Sequence, residues 1–320
     1  MPQKSYYGGQ AIIEGVMIRG RKNIAIAVRC PDDHIDLHTE PIQGIFAGWM
    51  KKIPLLRGVL TLLEMMVIGT RALMRSARLA LGEDEEEEGG VDSYSWLMWG
   101  TMVLGLVVGV GIFFVGPLFI QEWLDSYIDS SVLLNLIEGA IRLVLFLGYL
   151  LLIGTMKDIK RVFAYHGAEH MSIHALEHGD PLEVEHVRKY STLHPRCGTA
   201  FLLIVVLLSI LVFVAVGRPA LWILIISRIV LIPVIAGLAY EILKFHGAHS
   251  DNRLLSFLLA PGLSLQRITT RRPDDAQIEV ALTALKGAIA ADNAEEEAVV
   301  PSSAAPMAQE VAARGPSSTD

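Results

Sequence analysis

V-L-L-N-L-I-E-G-A-I-R-L-V-L-F-L-G-Y-L-L-L-I-G-T-M, residues 132–156, runs directly into K-D-I-K-R-V-F-A-Y-H-G-A-E-H, residues 157–170. The first stretch exceeds the ~20 apolar residues a helix needs to cross a bilayer. The second opens with Lys157, Lys160 and Arg161 and then sets His166, His170, His174 and His178 at every fourth position. Fourfold spacing stacks side chains on one helical face. The junction therefore reads as a span that leaves the membrane into a basic, histidine-bearing helix.

Three further runs, 96–120, 200–217 and 220–243, are long enough to span. They account for an apolar content of 52% and a mean hydropathy of +0.45 in a chain of 320 residues. Those values are high for a soluble domain. The expected fold class is mainly α and integral membrane: four transmembrane helices, a small N-terminal β unit and cytoplasmic helices. Met1 is not followed by the apolar core of a signal peptide.

Orientation follows from lysine and arginine. The 121–131 connection has neither, whereas 157–199 carries Lys157, Lys160, Arg161, Arg188, Lys189 and Arg196. Arg71, Arg75 and Arg78 precede the first span, and Lys244 and Arg253 follow the last. A multi-pass protein of the cell membrane is expected, with both termini and the histidine segment cytoplasmic. Trp96, Trp99 and Trp123 suit interfacial anchoring. The net charge of −7 owes much to the run Glu83–Glu88 and to an acidic tail, so it says little about partners. No basic stripe with interleaved aromatics points to nucleic acid. The expected surroundings are membrane lipid, with a second copy or another membrane protein as partner.

The chain divides into a β-rich unit (1–50), an interfacial helix (51–82), an acidic linker (83–95), a transmembrane hairpin (96–156), a histidine-rich loop (157–199), a second hairpin (200–243), a segment containing a helix (244–290) and a disordered tail (291–320). Ile24, Ile26 and Val28 alternate before a Cys30-Pro-Asp-Asp turn, and Ile35 and Leu37 alternate after it, which predicts an antiparallel hairpin. Over 55–81, Leu56, Val59, Leu60, Leu63, Met66 and Val67 form an apolar face of a helix lying at the interface rather than a fifth span. Residues from Pro261 to Asp274 read as a loop. A helix then starts near Asp274, with Asp274 and Gln277 as a capping box.

His166, Glu169 and His170 form H-x-x-E-H. Two histidines four apart can ligate one metal, and the glutamate lies close enough to take a proton from water there. His194 and Cys197 in H-P-R-C offer further ligands, and His174 is a lesser candidate. Against this, His174 and His178 also fit a polar helix face, and Cys197 a small packed residue. Gly167 implies either a later helix start or a close backbone approach. Phe245-His246-Gly-Ala-His249 after the fourth span echoes Tyr165-His166-Gly-Ala, so a pseudo-repeat could bring His246 and His249 to the same site. Glu138 and Arg142, four apart, and Arg228 are charges inside spans, read as a packing lock or as a path for protons or substrate.

Y-G-G-Q-A-I-I-E-G-V-M-I-R-G, R-V-F-A-Y-H-G-A-E-H, H-P-R-C-G-T and P-G-L-S-L-Q-R-I-T-T-R-R-P-D-D-A-Q-I-E-V-A together resemble the YqhQ family of bacterial multi-pass membrane proteins, over about residues 7–290. That family is described as predicted metal-dependent enzymes. The resemblance implies a divalent metal, zinc above all, and motif positions at Glu14, His166, Glu169, His170, His194 and Cys197. It names no substrate. Three functions stand open: a zinc hydrolase with Glu169, or alternatively Glu14, as catalytic acid–base; a non-catalytic assembly or scaffold factor with structural histidines; and a metal or proton transporter using Glu138, Arg142 and Arg228.

Overall fold

The computed structural model describes residues 7–42, 52–82, 93–217, 219–248 and 253–299. The acidic run, Arg218, His249 and the tail from residue 300 lie outside them. The elements are β1 (Gly8–Ile12), β2 (Gly15–Arg19), β3 (Asn23–Arg29), β4 (Ile35–Pro41), α1 (Leu56–Ala80), α2 (Ser93–Val110), a π-helical turn (Gly111–Val115), α3 (Gly116–Asp125), α4 (Ser131–Ile153), α5 (Lys157–His178), α6 (Val184–Val187), α7 (Gly198–Val216), α8 (Leu221–Ala248), α9 (Arg253–Thr269) and α10 (Asp275–Val299).

The expected hairpin is β3–β4, with Ala27 opposite Leu37. It belongs to a larger antiparallel meander, in the order β1-β2-β3-β4. Both faces are covered. Met17, Ile24, Ile26 and Val28 pack on Ile68, Ala72 and Leu79 of α1. Val16, Ile18, Ala25 and Ala27 pack on α5 and α10. The alternation in β3 is thus large against small, with the alanines letting two helices lie close on the second face.

Helix α1 forms where expected, and its contact face is rich in small residues. Its buried side is Gly58, Glu64, Ile68, Gly69, Ala72, Ser76 and Leu79. The apolar stripe read as the interfacial face points outward, with Leu63, Met66 and Val67 exposed. Small residues permit close contact: a side chain at Gly58 would meet Tyr240 of α8, and one at Gly69 would meet Gln10 of β1. An outward apolar stripe on a helix beside the spans suits a lipid boundary.

Among the described residues, four helices are long and apolar enough to cross a membrane: Val103–Asp125, Ser131–Ile153, Gly198–Val216 and Trp222–Phe245. The first is displaced toward the C-terminus from the expected 96–120. Their outer surfaces are apolar, with Leu104, Phe119, Val144, Leu152, Leu211 and Val230 all more than half exposed. In water such a surface would drive association. The sheet, α5, α6 and α10 gather at one end of the bundle, and the short α3–α4 and α7–α8 connections lie at the other.

The intramembrane charges lock the bundle. Glu138 of α4 accepts from Arg142 on the same helix, and its other oxygen accepts from Arg228 Nη2 of α8 at 3.2 Å. Arg142 also donates to Ser209 Oγ of α7 at 3.3 Å and to the Phe113 carbonyl in the π turn at 3.1 Å. The Phe213 ring lies between the two guanidiniums, 5.3 Å from Arg142 and 3.5 Å from Arg228. All four candidate spans meet here, so the three charges are used against each other. Glu138→Gln should cost ~3–5 kcal/mol by leaving two buried guanidiniums without a counter-ion. The check is a marked fall in the detergent-solubilised melting temperature; an unchanged melting temperature would contradict the lock.

The 253–299 segment differs most from expectation. Pro261 and Gly262 lie inside α9, where Gly262 sits against Ala200 of α7. Only Thr270–Asp274 is extended. The capping box at Asp274 is reciprocal: the Gln277 amide donates to Asp274 Oδ1 at 2.9 Å, and the Asp274 amide donates to Gln277 Oε1 at 3.1 Å. Helix α10 does not stop near residue 290 but continues to Val299, so the boundary of the disordered tail at 291 is wrong. The reason is Asp292, buried and accepting backbone N–H groups from Arg21, Lys22 and Asn23 at 2.7–3.0 Å. Burial alone would raise its pKa; the surrounding donors outweigh that and hold it below the usual value. Asp292→Ala should remove ~2 kcal/mol or more of stability, since three amides lose a charged acceptor. Equal thermal stability of variant and wild type would refute this anchor.

Candidate metal centre

Helix α5 runs unbroken through the histidines and ends on Gly179 in the left-handed conformation. Gly167 does not delay its start. A side chain there would come within 2.1 Å of the Arg271 carbonyl, so the glycine admits the extended strand after α9. The Arg271 amide in turn donates to the Phe163 carbonyl at 2.8 Å.

This close approach aims the imidazoles. His166 Nδ1 lies 2.8 Å from the Thr269 carbonyl, and His170 Nδ1 lies 2.6 Å from the Thr192 carbonyl. A carbonyl only accepts, so each Nδ1 carries the proton and each Nε2 presents a lone pair. The rings are 4.4 Å apart. His166 Nε2 lies 3.2 Å from Cys197 Sγ. Cys197 is the N-cap of α7, and the Thr199 amide donates to its sulfur at 3.4 Å, which suits negative charge there. One ligand atom each from His166, His170 and Cys197 falls within 4.8 Å of the other two. Two imidazole nitrogens and a thiolate are a zinc-type donor set.

Glu169 stands beside this trio. Its Oε1 accepts the Gly9 amide of β1 at 2.9 Å, and its Oε2 lies 3.6 Å from His170 Nε2. Glu169, His166, His170 and Cys197 line one wall of a cavity of about 580 Å³.

His194 lines the same cavity, its ring 5.6 Å from that of His170, but its nitrogens are turned to other partners. Its Nδ1 accepts the Arg196 amide at 3.3 Å and its Nε2 faces Glu177, 3.3 Å from Oε1. With Nδ1 accepting, Nε2 carries the proton, so no lone pair is free for the trio. Burial holds the His194 and His174 pKa values below the ordinary value. His174 Nε2 donates to the Leu193 carbonyl at 2.9 Å, and its ring stacks on Tyr190. His174, Glu177 and His194 form a second grouping with ligand-like spacing, but their bonds to one another and to Arg196 already satisfy it. Glu177 was missed although His174-Ala-Leu-Glu177-His178 repeats the H-x-x-E-H spacing of His166–His170. A third grouping, Cys30, Asp32 and His34, sits in the β3–β4 turn, where Asp32 and His34 are exposed and pair with each other.

Glu14, Glu138, Arg142 and Arg228 do not join the trio. Glu14, at positive φ in the β1–β2 turn, binds Arg161 and accepts from Tyr165 Oη at 3.2 Å. The Arg161 guanidinium outweighs partial burial and holds the Glu14 carboxyl below its usual range. Glu14 thus docks the sheet on α5. Glu138, Arg142 and Arg228 belong to the bundle lock. His246 lies in the last turn of α8, which continues without the break that separates α4 from α5.

The family described as "Protein of unknown function (DUF1385)" matches residues 53–291. The chain belongs to this family. A protein of Bacillus subtilis (strain 168) with the name "Uncharacterized protein YqhQ" is 35% identical over 287 residues, covering 86% of this chain and 90% of that protein. The sequence resemblance to the YqhQ family is thereby established. No solved structure matches. The DUF1385 match begins just before α1 and ends inside α10, so it includes every residue of the trio.

Gly167→Ala should push the Arg271 carbonyl off α5, costing ~1–3 kcal/mol and loosening His166. Its melting temperature and metal content should both fall; a variant matching wild type in both would show that the close approach is not needed.

Proposed function

We propose that this chain is a metal-dependent membrane enzyme, a hydrolase using zinc, with its site at the cytoplasmic face and both termini cytoplasmic. The observation that carries the reading is the pair of Nε2 lone pairs, fixed by backbone carbonyls, facing Cys197 beside an acidic wall. Zinc would be held by His166, His170 and Cys197, whose donor atoms suit that ion. When bound, the ion supplies a Lewis acid to the site. The chain's own part falls to Glu169: the Gly9 amide fixes one carboxylate oxygen, leaving the other to take a proton from water in the cavity and return it to the leaving group.

A second reading has one observation in its favour. The same Gly9–Glu169 bond ties the sheet to α5, as a scaffold would require. Purified protein should contain about one zinc per chain, lost in the His166→Ala/His170→Ala variant. Glu169→Gln should keep the metal and lose hydrolysis by ~10²–10⁴-fold. Full activity in Glu169→Gln would remove the assigned role. Metal-free but folded wild type after zinc resupply would favour the scaffold, in which His170→Ala lowers protein level and Glu169→Gln is silent.

A further inference from the structure

The cavity beside Glu169 also carries Gln10, His194, Arg196 and Thr199, but most of its lining is apolar. Elsewhere it is lined by Leu62 and Met65 of α1, Phe146 and Leu150 of α4, Leu202 of α7 and Leu243 of α8. Phe146 stands seven residues before the end of α4 at Ile153, ~10 Å along the axis at ~1.5 Å per residue. The space therefore descends from the histidine layer between the candidate spans. A small polar substrate has no use for such walls. An amphipathic one fits both ends at once.

Charge at the same end of the bundle narrows the choice. Lys160, Arg161, Arg271 and Arg272, together with Asp274, line a separate shallow surface pocket of about 510 Å³, in which Arg161 also pairs with Glu14. The carbonyl of Arg271 is the one that abuts Gly167, next to His166. Juxtamembrane basic clusters attract anionic headgroups.

We infer that the cavity receives the apolar chain of an anionic membrane lipid, whose ester lies against Glu169 and His170, and that such lipids are the substrate class of this site. The second clause rests on the hydrolase reading. Cleavage of an ester in that lipid adds the hydroxyl of water to the acyl carbon. The C–O bond breaks, and the water's proton passes through Glu169 to the departing alcohol.

The full chain, reconstituted in nanodiscs, would be photolabelled with phosphatidylglycerol carrying a mid-chain diazirine, and labelled peptides mapped by mass spectrometry. Phosphatidylcholine with the same chain serves as the comparison. Labels are expected on the α1, α4 and α8 cavity residues, more from phosphatidylglycerol, and are expected to be lost in Leu150→Trp and Met65→Trp while metal content holds. The map in wild type stands even where a variant fails to fold. Labels confined to outward-facing residues, in protein that binds zinc and hydrolyses a water-soluble ester through Glu169, would overturn the lipid inference and leave the hydrolase reading intact. Equal cavity labelling by both lipids would overturn the anionic preference. Cavity labelling in protein that takes up no metal would uphold lipid occupancy and overturn the substrate assignment.

Discussion

The backbone of Thr269–Arg271 lies against α5 so closely that no side chain fits at position 167. From that approach the rest of this end of the molecule follows. The Thr269 carbonyl orients His166, the Arg271 amide caps Phe163, and the strand leads straight into the capped start of α10. Helix α10 then covers the alanine face of the sheet, and Asp292 fastens it to the β2–β3 turn. The sheet in turn brings the Gly9 amide to Glu169. The candidate centre is thus held by backbone groups from four separate segments, and its side chains have little freedom to be anywhere else.

The bundle has its own fixed point, toward the end of the four apolar helices that lies away from the sheet. One carboxylate serves two guanidiniums, with a phenyl ring between them and a π turn supplying a carbonyl. Inside a low-dielectric layer these groups are costly unless paired, and the pairing spans all four helices. The two fixed points lie at opposite ends of α4: Glu138 near its start, and the junction with α5 at its end. Helix α4 therefore couples the lock to the histidine helix through a short connection at Gly154–Met156.

Much of this was legible in the chain because the signals were periodic or local. Spans declare themselves by length, the histidine helix by fourfold spacing, and the α10 start by Asp274 and Gln277. The misses share a cause: they depended on what an element packs against. Strands β1 and β2 hide in a glycine-rich stretch whose faces are both buried, so no polar alternation marks them. The apolar stripe of α1 was legible as an interfacial face, but its contact face was not, because glycine, alanine and serine largely make it. Pro261 and Gly262 read as loop, yet α9 absorbs them because Ala200 needs the space. His194 looked like a ligand by residue type; only the Arg196 amide and Glu177 show that both its nitrogens are engaged. Asp292 sat in what read as tail, since nothing local reveals three amides waiting from residues 21–23.

The central claim is that His166, His170 and Cys197 bind one metal together. X-ray absorption at the zinc edge, on detergent-purified full chain, tests it most directly. The account predicts two imidazole nitrogens at ~2.0–2.1 Å and one sulfur at ~2.3 Å, with the sulfur scattering lost in Cys197→Ser. A bound zinc showing no sulfur in its shell, or a spectrum unchanged by Cys197→Ser, would contradict it.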